Sequence, residues 1–202
     1  MSEPQREHWQ RIYSTKADNE VSWTQDEPST SLTLIRSVAT SGAVIDIGGG
    51  SSVLAGRLLD DGYRVTVLDI SEAALTRARD KLGARASQVN WLAADVTKVD
   101  DLGTFDVWHD RAVFHFLTTP ADQASYIALA ERTIRAGGHL VIGTFALDGP
   151  AHCSGLPVER YDAHKLAARF GAGFALKRKM AETHRTPWGD QQKFQFAMFE
   201  RL

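Results

Sequence analysis

Cysteine is almost absent: Cys153 stands alone, so no internal disulfide can staple the fold and no all-cysteine metal cage can form, although seven histidines remain. No apolar run approaches the roughly 18 residues of a membrane-crossing helix. The opening MSEPQREHWQ lacks the basic-then-apolar layout of a signal peptide, so the expected compartment is the cytoplasm and no membrane partner is expected. An excess of charge is missing too. The formal charge is -2, with Lys and Arg dispersed and no basic stripe, which argues against nucleic acid as the main partner. What remains is an ordinary apolar fraction, 43%, in 202 residues, enough for one domain with a full core.

The chain is organised around residues 43–52, AVIDIGGGSS. Val44, Ile45 and Ile47 suit a buried strand, and Gly48, Gly49 and Gly50 let the backbone turn sharply and approach a ligand. A helix is expected to begin at Ser51 or Ser52 and to bury Val53, Leu54, Leu58 and Leu59, its N-terminal amides facing the bound group. A second strand, residues 63–70, carries Asp69 at its end, 21 residues past Gly48, where an acid accepts ribose hydroxyls in nucleotide-binding βαβ units. Ser71 then caps a helix that Gly83 ends. A third strand, residues 88–95, ends in Asp95, and a fourth, residues 105–110, ends in Asp110. In a parallel sheet the carboxyl ends share one edge, so Asp46, Asp69, Asp95 and Asp110 are expected along one crevice.

A helix over residues 120–136, closed by Gly137 and Gly138, leads to a nearly all-apolar fifth strand, residues 139–147. A loop follows, then a helix over residues 162–171. Two long strands, residues 174–185 and 193–202, joined by the short TPWGDQQ, must be antiparallel, because a parallel pair needs a long crossover. Upstream, a helix over residues 4–16 places Trp9 and Tyr13 on one face, and a polar loop carries Trp23. These aromatics either clamp an N-terminal arm, residues 1–30, to the body (residues 31–202) or form a lid over a ligand.

The glycine turn lacks the third glycine of the dinucleotide fingerprint and the Gly-Lys-Ser/Thr ending of a phosphate loop, leaving a nucleoside cofactor. Asp46 before the glycines, Asp69 and Asp95 after strands two and three, and the terminal hairpin together resemble the class I S-adenosylmethionine-dependent methyltransferases over about residues 30–202. The resemblance implies an α/β, Rossmann-like, doubly wound seven-stranded sheet in the order 3-2-1-4-5-7-6, strand seven antiparallel. It also implies an enzyme that uses S-adenosylmethionine and releases S-adenosylhomocysteine, without an obligatory metal. Asp46 and Gly48 to Gly50 would hold the methionine part, Asp69 the ribose and Asp95 the adenine amino group, with Ile70 and Val96 on the two sides of the ring. Ser52 replaces the third glycine of many members and brings a hydroxyl near the cofactor.

The arm resembles two branches of this superfamily: small thiol and halide methyltransferases, thiopurine-like ones included, whose Trp-rich start covers the cofactor, and elongation-factor lysine methyltransferases. Trp9, Tyr13 and Trp23 are the matching residues. The second branch carries Asp-Lys-Gly after strand four, where this chain has Asp110-Arg111-Ala112. A small-molecule acceptor, a thiol or similar soft nucleophile, is the expected substrate, because a thiol ionises near neutral pH and an amine must first lose its proton. A protein lysine is the alternative. Candidate acceptor-site or catalytic residues are His109, His115, Cys153, Arg160, Tyr161, His184 and Trp188. Each also has a plain structural reading: His115 as a core histidine between phenylalanines, Cys153 as a small loop residue, Arg160 and Tyr161 as an anchor.

Overall fold

The computed structural model describes residues 3–202; residues 1–2 of the expected arm lie outside it. The arm is helix α1 (Glu3–Thr15) and a loop, and α2 (Ser29–Val38) begins the body. Strand β1 (Ala43–Ile47), helix α3 (Leu54–Asp60), β2 (Arg64–Asp69), α4 (Glu72–Leu82) and β3 (Val89–Ala93) follow. Next come β4 (Phe105–Arg111), α5 (Pro120–Thr133) and β5 (Ile134–Phe145). A two-residue hairpin, β6 (His152–Cys153) and β7 (Leu156–Pro157), precedes α6 (Ala163–Phe170), β8 (Phe174–Arg185) and β9 (Gln191–Arg201).

The seven-stranded sheet has the order β3-β2-β1-β4-β5-β9-β8, with β9 antiparallel to both neighbours. Counting only its members, that is the expected 3-2-1-4-5-7-6. All five residues of β1 are buried, which requires cover on both faces of the sheet. Its apolar run supplies that burial, and Asp46 is the one polar group taken inside with it. Ser71 caps α4 by accepting from the Ala74 amide, and Gly83 ends that helix in a left-handed conformation, φ 56°.

Three local expectations change. Helix α5 stops at Thr133, and Gly137 and Gly138 lie inside β5. Ile134 pairs with Phe105, the chain bulges, and pairing resumes at His139 opposite Val107, so the glycines serve a strand irregularity instead of a helix end. Helix α3 starts at Leu54, with the Ser52 hydroxyl accepting from the Leu54 amide at 3.1 Å; three glycines extend the turn beyond the point expected for a cap. The stretch after β5 holds the β6–β7 hairpin, whose turn residues Ser154 and Gly155 both take positive φ, as a two-residue turn needs.

Candidate active site

The carboxyl ends of β1, β2 and β4 open into one cleft. Its floor is the glycine turn. Gly48 has φ 65°, and a Cβ there would lie 2.1 Å from Val113 Cγ2. At Gly49 a Cβ would fall 2.6 Å from Asp46 Oδ2, and at Gly50, φ 48°, it would fall 2.8 Å from the Tyr13 hydroxyl. The turn is glycine because neighbouring atoms already fill the space a side chain would take.

Asp69 ends β2 in the cleft wall, 5% exposed, with Oδ1 accepting from the Ser71 amide at 2.8 Å. Burial is the main cause that lifts its carboxyl to about 7, against backbone hydrogen bonds that pull it down. Hydroxyl donors from a ligand would favour its charged form. Ile70 and Val96 also line the cleft and offer apolar surface. Asp95 does not line it, although Ala94 and Val96 do; Asp95 Oδ1 accepts from the Thr97 amide and hydroxyl. The glycine cradle, the buried acid and the apolar flanks fit a nucleoside carrying an amino-acid chain.

Asp46 is held from the neighbouring strand, where His109 stands opposite it. His109 Nδ1 donates to Asp46 Oδ1 at 2.7 Å, and in the neutral ring Nε2 accepts from the Ser31 hydroxyl at 2.8 Å. All three are buried and line the cleft. The arm roofs it. Trp9 and Tyr13 are 8% and 7% exposed, and Trp23 meets their rings edge-on at 5.6 and 5.8 Å. Trp9 also packs on Phe116 at 5.0 Å. Gln10 fastens the arm to the start of α4, its side-chain oxygen accepting from the Ser71 hydroxyl and the Ala73 amide. Burial and the charge of Asp69 push the Tyr13 phenol well above its ordinary range, so it stays a neutral hydroxyl. One side-chain set thus both anchors the arm and roofs the cleft.

The remaining candidates divide. Cys153 lines the cleft, and burial pushes its thiol up to about 11, which keeps it protonated at neutral pH. Asp110 turns to the opposite face, because side chains alternate along β4. It accepts from Tyr126 and from the Val113 and Phe114 amides, so it orders the turn after β4 and does not share the crevice. His115 is fully buried between Phe116 and Phe145, outside the cleft lining; burial and then the Arg111 charge push it down to about 3. Tyr161 is buried against Phe114, and Arg160 donates to the Gly149 carbonyl; neither lines the cleft. His184 donates to the Ser22 carbonyl at 2.6 Å and so ties β8 to the arm, whereas Trp188 is 54% exposed on the terminal turn.

Ser31, Lys81 and Arg111 also line the cleft. Ser31 reads in sequence as one polar residue of a helix, and only its pairing with His109 distinguishes it. Arg111 follows directly on the acid that ends strand four, so an alternation count along β4 would have aimed it with His109 into the crevice.

A family model described as a methyltransferase domain matches residues 44–138. Among curated relatives, a tRNA U34 carboxymethyltransferase of Aliivibrio salmonicida is 28% identical over 138 residues, 67% of this chain and 42% of that protein. An eEF1A lysine and N-terminal methyltransferase of Danio rerio is 26% identical over 160 residues, 77% of this chain and 23% of that protein. The chain therefore spans less than half the length of these relatives. Among solved structures, one described by the conversion of a disulfide bond into a thioacetal group during echinomycin biosynthesis superposes with a TM-score of 0.79 at 22% identity, covering 97% of this chain and 92% of that one. The 1,6-didemethyltoxoflavin-N1-methyltransferase of Burkholderia thailandensis, with 1,6-didemethyltoxoflavin and S-adenosylhomocysteine bound, gives a TM-score of 0.73 at 19% identity, covering 98% of this chain and 88% of that one. At these identities the structural likeness speaks for the fold.

Proposed function

We propose that this chain, whose residues 44–138 match a methyltransferase-domain family model, transfers a methyl group from S-adenosylmethionine to a small-molecule nucleophile. The aromatic roof carries this reading: Trp9, Tyr13, Trp23 and Phe116 cover the cleft with rings, which suits a small desolvated acceptor. A thiol or similarly soft nucleophile is the acceptor we favour. It needs least help to lose its proton; His115 and Tyr161 stand outside the lining, and His109, which is in it, has both ring nitrogens engaged by Asp46 and Ser31.

When bound, S-adenosylmethionine supplies an electrophilic methyl on a sulfonium. The residues' work is then positional. Asp69 would accept hydrogen bonds from the ribose hydroxyls, Gly48 to Gly50 would approach the methionine part, and Ile70 and Val96 would flank the adenine, with Asp95, next in sequence to Val96, behind the lining. His109 acts as a positioning residue that fixes Asp46 beneath the glycine turn. The roof excludes water, which favours in-line displacement by a desolvated nucleophile.

A protein lysine is the second reading, kept by the similarity to the eEF1A lysine and N-terminal methyltransferase. A tRNA acceptor, named for the carboxymethyltransferase relative, would need a basic surface that a chain of charge -2 with dispersed cations does not concentrate. Among the described residues no helix is long and apolar enough to cross a membrane.

Calorimetry with S-adenosylhomocysteine tests the cofactor, with saturable binding expected. Labelled S-adenosylmethionine offered with thiols, small amines, a lysine-bearing elongation factor and tRNA tests the acceptor. Transfer to small thiols is expected; transfer confined to the protein or the tRNA would overturn the reading.

A further inference from the structure

Arg111 ends β4 with its side chain 10% exposed, in the cleft wall. Its guanidinium lies 4.4 Å from the centre of the Phe194 ring, and Nη1 donates to the Trp23 carbonyl at 3.2 Å. Nε and Nη2 are buried and make no hydrogen bond. Glu182, 13% exposed, comes only to 3.5 Å of Nη2, and its Oε1 accepts from Gln25 at 3.2 Å. The ion pair offsets the buried charge, and at 3.5 Å it leaves Nε and Nη2 without a hydrogen bond. A buried charged donor left unmade is costly, so a group that completes it is bound with corresponding gain. The Trp23 indole N–H, also buried and unpartnered, lines the same cleft.

These are all donors, and two of them form one planar edge. Their complement is a planar group with two acceptor oxygens. Among the described residues Glu182 is the anion paired with Arg111, and burial keeps the neighbouring Cys153 thiol protonated. Arg111 stands at the end of β4, two strands from β2 and Asp69, a distance of about 10 Å from the ribose end. Resting on the methyl-transfer reading, we propose that the acceptor carries a carboxylate and that Arg111 is the specificity-determining residue that binds it through Nε and Nη2.

The test is calorimetric. Acetate, 3-mercaptopropionate and benzoate, each beside its amide, are titrated into the protein loaded with S-adenosylhomocysteine, for the native chain, Arg111→Lys and Arg111→Gln. At least one acid is expected to bind about tenfold more tightly than its amide, a preference reduced in the lysine variant and lost in the glutamine variant. Affinities for S-adenosylhomocysteine and 5′-methylthioadenosine should stay within about twofold across the variants, because the edge serves the acceptor. Equal binding of every acid and its amide by the native chain overturns the proposal. So does an Arg111→Gln variant that loses affinity for S-adenosylhomocysteine and keeps it for 5′-methylthioadenosine, since the edge would then serve the cofactor's own carboxylate. If Arg111→Gln does not fold, the native and lysine proteins still decide. Absence of S-adenosylhomocysteine binding by the native chain counts against the methyl-transfer reading; the acid and amide comparison on the free protein then judges the anion site by itself.

Discussion

At the β2–β3 end of the sheet the strand-end acids are held by chain close to them in sequence. Asp69 is fixed by the Ser71 amide and Asp95 by Thr97, each two residues on, and Ser52 by Leu54. At the β4 end the partners come from afar: His109 joins Asp46 and Ser31 at separations of 63 and 78 residues, and Arg111 reaches the Trp23 carbonyl across 88. The first end is built by turns and the second by packing. A local device forms wherever its few residues take the right backbone angles, whereas the distant contacts exist only when sheet, arm and terminal hairpin are all in place.

The contrast can be broken most forcefully at His109. His109→Phe leaves the Asp46 carboxylate and the Ser31 hydroxyl buried without their shared partner, and we expect a loss of about 3–5 kcal/mol in denaturant unfolding. A loss under about 1 kcal/mol would mean that the packed end is not held as described. Gly48→Ala comes next. A left-handed alanine whose methyl group meets Val113 should cost roughly 2–3 kcal/mol and weaken S-adenosylhomocysteine binding.

Asp69→Asn should leave the fold intact and weaken S-adenosylhomocysteine binding by about 1–3 kcal/mol. The pH dependence supplies a sharper reading. With its native carboxyl raised to about 7, above its unfolded value, the native state holds the extra proton, so this group's contribution to stability falls as pH rises from about 4 through 7. Ligand hydroxyls that favour the carboxylate lower its pKa again. Binding at pH 6 should then release a proton, seen as a heat that varies with buffer ionisation enthalpy and vanishes in Asp69→Asn. The smallest effect is expected at Ala112, which follows Arg111 with φ 77°. Ala112→Gly relieves that conformation and should raise stability by up to about 1 kcal/mol, offset in part by the freer unfolded chain.

The same division governs what could be read in advance. The glycine turn, Asp69 and the hairpin strands are legible because each is a short-range pattern: an apolar run, a left-handed turn, an acid at a strand end, a connection too short for a parallel pair. Strand alternation shows why Asp110 misled. It stands one residue before the end of β4, and its side chain faces Tyr126 on the far side of the sheet. Gly137 and Gly138 misled because a glycine pair after an apolar helix reads as a stop, and their use as a bulge depends on the pairing of Ile134 with Phe105. Arg160 and Tyr161 were plausible by residue type alone, and packing took Tyr161 into the core.

By itself the sequence determined the α/β class, the strand order through its family resemblance, and the glycine turn with its acid 21 residues on, because periodicity and turn chemistry act within a few residues. Only the tertiary structure decided that His109 secures Asp46, that the arm both anchors itself and roofs the cleft, and that Arg111 stands in the cleft wall with Nε and Nη2 lacking a hydrogen bond. Those facts depend on which face each side chain takes and on what arrives opposite it, and that is set when all seven strands and the arm pack together.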